Sequence, residues 1–197
     1  MRSSRIVLNI VVVAAAIFLS GCYVATQKLP AGDTAIDQQL IGAWQALNSD
    51  GSPSNDAAFL HFAKIGDDKP LIMVFVDDSS TTTYEMQSIR LGDRTMFALK
   101  ILTSSQKGAP NEEPNYILGF YSVKGDELTF NLIGAKQLKP FVDSGKIKGI
   151  AENKEFGKVT LTASPKELAD FFAKTDMKSL IGEDKPARAR RVAKPSK

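Results

Sequence analysis

The stretch "YILGFYSVKGDELTFNLI" (Tyr116–Ile133) decides the fold class of this chain. Its second half alternates, with Leu128, Phe130 and Leu132 on one face and Thr129 and Asn131 on the other. That is the period of two of a β-strand. Its first half, Tyr116 to Tyr121, is apolar almost throughout. Between the halves, Lys124-Gly125-Asp126 marks a tight hairpin, because glycine supplies the positive φ that type I′ and II′ turns demand. The same signal recurs at Gly92-Asp93-Arg94, between "TTYEMQSIRL" and "TMFALKIL".

Outward from these hairpins lie further short strands: "LIGAWQALN" (Leu40–Asn48), "AAFLHFAKI" (Ala57–Ile65) and "KVTLTA" (Lys158–Ala163). "LIMVFV" (Leu71–Val76) is apolar on both faces, as expected of a strand covered on both sides. Nothing between the strands reads as a βαβ rhythm, so the pairing is expected to be antiparallel. Two helical pieces interrupt the series. "SPKELADFFAK" starts on Ser164 with Pro165 at the first helical position and Glu167 three residues on, a capping box. Leu168, Phe171 and Phe172 give it an apolar face. "AKQLKPFVDSG" (Ala135–Gly145) fits less well, since Pro140 suits only a first turn, although Gly145 would end the helix properly. The expected class is mainly β: an antiparallel meander or barrel of about eight strands, with one or two short helices in the C-terminal third.

Composition bounds the chemistry. The 197 residues include 43% apolar and 24% charged residues, one Cys and one His. This suits one globular domain with appendages. A lone Cys forms no intramolecular disulfide, and one Cys with one His (His61) cannot build an N/S metal cluster. No metal site and no cofactor are expected, a weak carboxylate-only cation site among loop acids being the alternative. His61 has Phe59, Ala63 and Ile65 as alternate neighbours, so a packed histidine is the alternative to a base. The serines at 79, 80, 104 and 105 sit in turns without a G-x-S-x-G elbow. The acid pairs Asp67-Asp68, Asp77-Asp78 and Glu112-Glu113 fall in turns or loops, where strand neighbours diverge. No glycine-rich nucleotide signature is present. No catalytic residue is assigned, and the chain is read as a non-enzyme.

The N-terminus sets the address. Arg2 and Arg5 precede an apolar run, Ile6 to Leu19, whose fourteen residues would span roughly 21 Å of helix, short of the ~30 Å hydrocarbon core. A secretory h-region fits better than a membrane span. "LSGC" (Leu19–Cys22) resembles the lipobox of bacterial lipoproteins, with Cys22 at +1. That resemblance implies a diacylglyceryl thioether on Cys22, cleavage before it and acylation of the new amine. The alternative is a signal peptide that ends near a free thiol. Several acyl chains, at about 0.8 kcal/mol per buried CH₂, would make the anchor stable. Tyr23 is not the Asp that retains such proteins in the inner membrane, so the resemblance implies the outer membrane, facing the periplasm. The expected organisation is a leader over 1–21, a lipidated flexible tether over 22–36, a barrel-like domain over 37–192 and a basic tail over 193–197.

The Gly42-x-Trp44 of "LIGAW" resembles the first strand of the lipocalin-like (calycin) barrels. In that family the Trp closes one end of the barrel and an Arg from near the chain terminus packs across it. Arg188, Arg190 and Arg191 are candidates for that Arg, and Arg190 is taken with Gly42 and Trp44 as the barrel-closing set. The family's usual disulfide is missing here. A tryptophan that simply fills a β core is the alternative. Charge is uneven: all 22 acids lie between Cys22 and Asp184, whereas Lys185 to Lys197 holds six basic residues and no acid. The basic end suits an anionic lipid surface or an acidic partner, or else a strand with solvated arginines. Aromatics are not interleaved with it, so nucleic acid is not expected. The expected function is a lipid-anchored, non-catalytic binding module for a small apolar or amphiphilic ligand or an envelope component. The alternative is an interaction lipoprotein that uses the outer barrel face and the basic tail in an envelope assembly.

Overall fold

The computed structural model describes residues 24–54, 58–66, 70–105, 115–152, 157–182 and 185–193. The expected leader, Cys22 and residues 194–197 lie outside them. Eight strands close a barrel: β2 (Gly42–Leu47), β3 (Phe59–Lys64), β4 (Leu71–Val76), β5 (Thr81–Leu91), β6 (Arg94–Ser104), β7 (Tyr116–Lys124), β8 (Glu127–Leu132) and β11 (Ala187–Ala193). Each pairs antiparallel with its neighbour in that order, β6 with β7 included, and β11 closes the ring between β8 and β2. The closed eight-strand antiparallel barrel is consistent with a calycin-like fold. Closure matters physically, because it gives every wall strand a partner on both sides along at least part of its length. Both hairpins form as expected, Gly92 with φ 64° and Gly125 with φ 61°.

Two cores share this wall. Inside the barrel, Trp44, Phe62, Met73, Tyr84, Phe97 and Leu128 interdigitate. A second core lies outside, against the outward residues of β5, β6 and β7, among them Ile89, Met96, Leu118 and Phe120. This is why "YILGFY" reads as a continuous apolar run: Ile117 and Tyr121 face in, and Leu118 and Phe120 face out, all of them buried. "LIMVFV" differs from expectation. Leu71 and Met73 are buried inside, but the outward Ile72, Val74 and Val76 are only half-buried.

The chain between β8 and β11 builds the outer cover. It contains α1 (Ala135–Asp143), β9 (Gly149–Ala151), β10 (Val159–Leu161), α2 (Pro165–Lys174) and α3 (Met177–Ile181). Leu138 of α1, Leu168 and Phe172 of α2 and Leu180 of α3 are fully buried on this side. Phe172 meets Phe120 edge to face at 6.4 Å, a favoured quadrupole geometry. The capping box on α2 forms in both directions: Glu167 N–H donates to Ser164 Oγ, and Ser164 N–H donates to Glu167 Oε2 at 2.8 Å. Lys148 Nζ and the Ser164 donors together hold the Glu167 carboxyl at about 2. Its folded value is below the unfolded one. The cap is therefore intact above the ordinary carboxylate range and is lost only as pH falls toward 2.

α1 does form, with Pro140 in its middle. The helix forgoes one N–H bond at Pro140 and stops three residues later, and its end is rebuilt by Gly145 N–H on Val142 O and Lys146 N–H on Phe141 O. α3 was not legible, being one turn capped by Asp176. "KVTLTA" contributes β10, but outside the barrel wall. It pairs in parallel with β1 (Val24–Thr26), which in turn lies antiparallel to β7.

β1 also corrects the expected tether. Val24, Ala25 and Thr26 are fully buried. Tyr116 and Ile117 extend past the last β8 pair, Gly119–Leu132, and leave one edge of β7 needing backbone partners there. β1 fills that edge. The chain then stays sewn down, through Ala31 N–H to Pro165 O and Arg90 N–H to Asp33 O, both at 2.8 Å. Among the described residues, no helix is long and apolar enough to cross a membrane.

Candidate functional site

One end of the barrel is plugged by residues 33–41, which run in from the Asp33–Arg90 bridge. Asp37 organises this segment with both carboxylate oxygens. Oδ1 accepts from Gln39 N–H at 3.0 Å, and Oδ2 accepts from the inward Tyr121 hydroxyl at 3.0 Å. Tyr121 also meets Ser88 Oγ at 2.8 Å, and burial pushes its phenol well above the usual range. Leu40, fully buried, takes the Trp44 Nε1–H on its carbonyl at 2.7 Å. Gly42 then turns the chain into β2 at φ 127°, a backbone region that side chains oppose.

Arg191 seals this end. Its guanidinium carbon stands 4.0 Å from the centroid of the Trp44 ring, opposite which it pairs in the β11–β2 ladder. Nη1 donates to Ile41 O at 2.8 Å, Nη2 donates to Gln39 O, and Nε lies 3.3 Å from Asp126. The stacked arginine is thus Arg191 and not Arg190. Strand alternation decides it: Ala189 is buried on the inner face, so Arg191 continues that face and Arg190 is exposed on the other. The alternation of "ARARRV" carried this signal. Replacing Arg191 by Ala is expected to cost about 3 kcal/mol, combining ~2 from a desolvated cation–π contact with the lost charged donors. Lys, which cannot fork or stack, should recover less than half of it. Urea midpoints of the three proteins provide the check.

No family model, curated protein or solved structure matches this chain. What the barrel offers is therefore read from its own geometry. Toward the opposite end, the inward side chains Phe75, Ile101, Phe130 and Leu132 are only partly buried. They lie near the ends of β4, β6 and β8 that lead away from the plug. Beside them, Thr82 and Ser104 share a hydroxyl hydrogen bond at 2.9 Å, and the Tyr84 phenol, which bonds Thr82, is pushed well up by burial. An apolar lining with a few convergent hydroxyls is what holds an amphiphile. Residues 55–57 and 106–114, in connections at this end, are outside the described residues.

His61 lies on the outer face of β3, exposed, its ring stacked 6.4 Å from that of Phe59. It is packed in neither core. Among the described residues, no group of three or more His, Cys, Asp and Glu gathers as a metal set. A shallow depression of about 390 Å³ lies outside the barrel, beside α2, with Lys146, Lys148 and Lys174 facing Glu167 and Asp170. Lys148 is bound to Glu167 at 2.8 Å, and Asp170 is shared between Lys166 and Lys174. The basic end of the chain is likewise partly engaged, with Arg188 on Glu127 at 2.9 Å.

Proposed function

We propose that this chain is a lipid-anchored envelope protein whose barrel holds a small apolar or amphiphilic ligand at the end opposite its plug. The lipid is carried by Cys22 in the "LSGC" motif, and the protein resides at the outer membrane, facing the periplasm. The observation that carries the binding reading is the asymmetry of the barrel. At one end Trp44 and Leu40 are fully buried beneath Arg191, while at the other the inward Phe75, Ile101, Phe130 and Leu132 are only partly buried. The protein acts by holding its ligand rather than by transforming it, since its one histidine stands on the outer wall, apart from these side chains.

Native mass spectrometry of the protein purified from envelopes should detect a bound amphiphile. The apolar probe N-phenylnaphthylamine should bind the emptied barrel and be displaced by lipid extract. Phe130→Asp, which puts a charge among partly buried apolar side chains, is expected to weaken probe binding at least tenfold, or by about 1.4 kcal/mol. A wild-type protein that carries no ligand and takes up no probe would sink the idea. In that event the outer face of β3 and β4, where Phe59, Ile72 and Val74 lie half-buried, favours the second reading, an interaction lipoprotein in an envelope assembly.

A further inference from the structure

The fold begins almost at the attachment point. Only Tyr23 separates Cys22 from Val24, the first residue of β1. Two residues of chain reach at most about 7 Å. A lipid headgroup layer is itself roughly 5–7 Å deep on each side of the hydrocarbon. Val24 is fully buried and pairs with Val159 of β10, and the next residue, Ala25, pairs with β7, so Val24 cannot unravel to lengthen the connection without opening the outer core.

Strand register identifies what lies beside the anchor. Val24 pairs with Val159, and Val159 with Ala151, so one end of the β1–β10–β9 ladder brings Ala151, Glu152 and Lys158 next to the start of β1. Ile150 pairs with Thr160, which pairs with Ala25, two strand spacings or about 10 Å away. Ile150 is 66% exposed, more than any other large apolar side chain among the described residues. β9 ends the sheet order, so Ile150 sits on its outermost strand. The excursion that carries it, residues 135–182, holds nine lysines against six acids, the sign that an anionic surface attracts.

We infer that the folded body has no tether and docks directly on the anionic lipid surface through this end of the β1–β10–β9 ladder, with Ile150 in the headgroup layer. The inference rests on lipid attachment at Cys22. It fixes the orientation of the barrel: β3 stands four strands from β7 in either direction around the ring, so the exposed Ile65, which follows β3, lies on the side of the barrel across from the anchor.

The test uses the full chain, processed in its host and reconstituted in vesicles of phosphatidylethanolamine and phosphatidylglycerol. Acylation consumes the one natural thiol, so Ile150→Cys and Ile65→Cys each give a single site for an environment-sensitive fluorophore. Headgroup-level nitroxide lipid should quench the label at 150 and leave that at 65 at the solvent level. Inserting about ten Gly/Ser residues before Val24, which adds roughly 17 Å of mean reach, should abolish the contrast. Equal quenching at both sites, or none at either, overturns the docking, and a contrast that survives the insertion overturns the role of the short connection. The mass of the N-terminal peptide separates the two levels. An unacylated Cys22 defeats the lipid anchor itself, whereas an acylated Cys22 with a water-exposed Ile150 defeats only the docking.

Discussion

Trp44→Ala is expected to destabilise the protein by about 3–5 kcal/mol, the range for removing a fully buried large aromatic side chain. A domain of this size has about 5–15 kcal/mol in all, so the variant should lie near its unfolding threshold. Trp44 is 0% exposed and occupies the junction of three structures: the plug through Leu40, the wall through β2 and β3, and the last strand through Arg191. Its loss empties the closed end and leaves the guanidinium without its ring. Trp44→Phe keeps most of the volume but orphans the buried Leu40 carbonyl, and should cost about 1–2 kcal/mol. Coupling supplies the sharper check. If the stacking is real, Trp44→Ala and Arg191→Ala together should cost less than their sum by about 0.5–3 kcal/mol, whereas strict additivity would show that the two sites act independently. Circular dichroism in urea reads all of these variants, since the chain's single Trp is itself removed.

The closed end shows how far the sequence could be read. Trp44 stood out as the chain's only tryptophan, in a Gly-x-Trp, and the two Gly-Asp hairpins punctuated the wall, because these are local signals that a few residues carry. The partner arginine is a question of strand phase. Ala187 and Ala189 define the inner face of "ARARRV", and Arg191 falls on it, but that phase matters only once β11 is known to close the barrel beside β2. β1 was beyond reach for another reason, and so was the place of β10, whose strand character "KVTLTA" did carry. Three-residue strands have no measurable period, and their place is set by the free edge of β7, ninety residues from β1 along the chain. Similarly, Ile72, Val74 and Val76 look as buried in sequence as Leu118 and Phe120. Only the position of the helices decides which outer face is covered. The end opposite the plug was the least legible of all, since inward-facing Phe75 and Phe62 read alike, yet Phe62 is buried and Phe75 only partly so.

Gly119→Val is expected to prevent folding, although nothing in the chain's pattern marks this glycine. Gly119 lies in the middle of β7 and points into the barrel, where glycine normally weakens a strand. The facing residue on β6 is Phe97, whose ring lies across the vacant position. A Cβ there would stand under 3.0 Å both from Phe97 Cζ and from the Asn131 carbonyl oxygen of β8. The ring can swing aside, but the carbonyl belongs to the wall. Relief would have to come from opening the β7–β8 ladder, which carries the hairpin that begins at Gly119–Leu132. Gly119→Ala should therefore cost about 3 kcal/mol, at the upper end for overpacking, and Gly119→Val more than the fold can sustain. By contrast, Gly92→Asn should cost under about 1 kcal/mol, since its positive φ suits Asn and nothing lies within 4 Å of its added Cβ. Phe97→Ala separates the two obstacles. If the carbonyl is the harder one, adding Gly119→Ala to Phe97→Ala still lowers the urea midpoint clearly. A double variant as stable as Phe97→Ala alone would put the whole constraint on the ring.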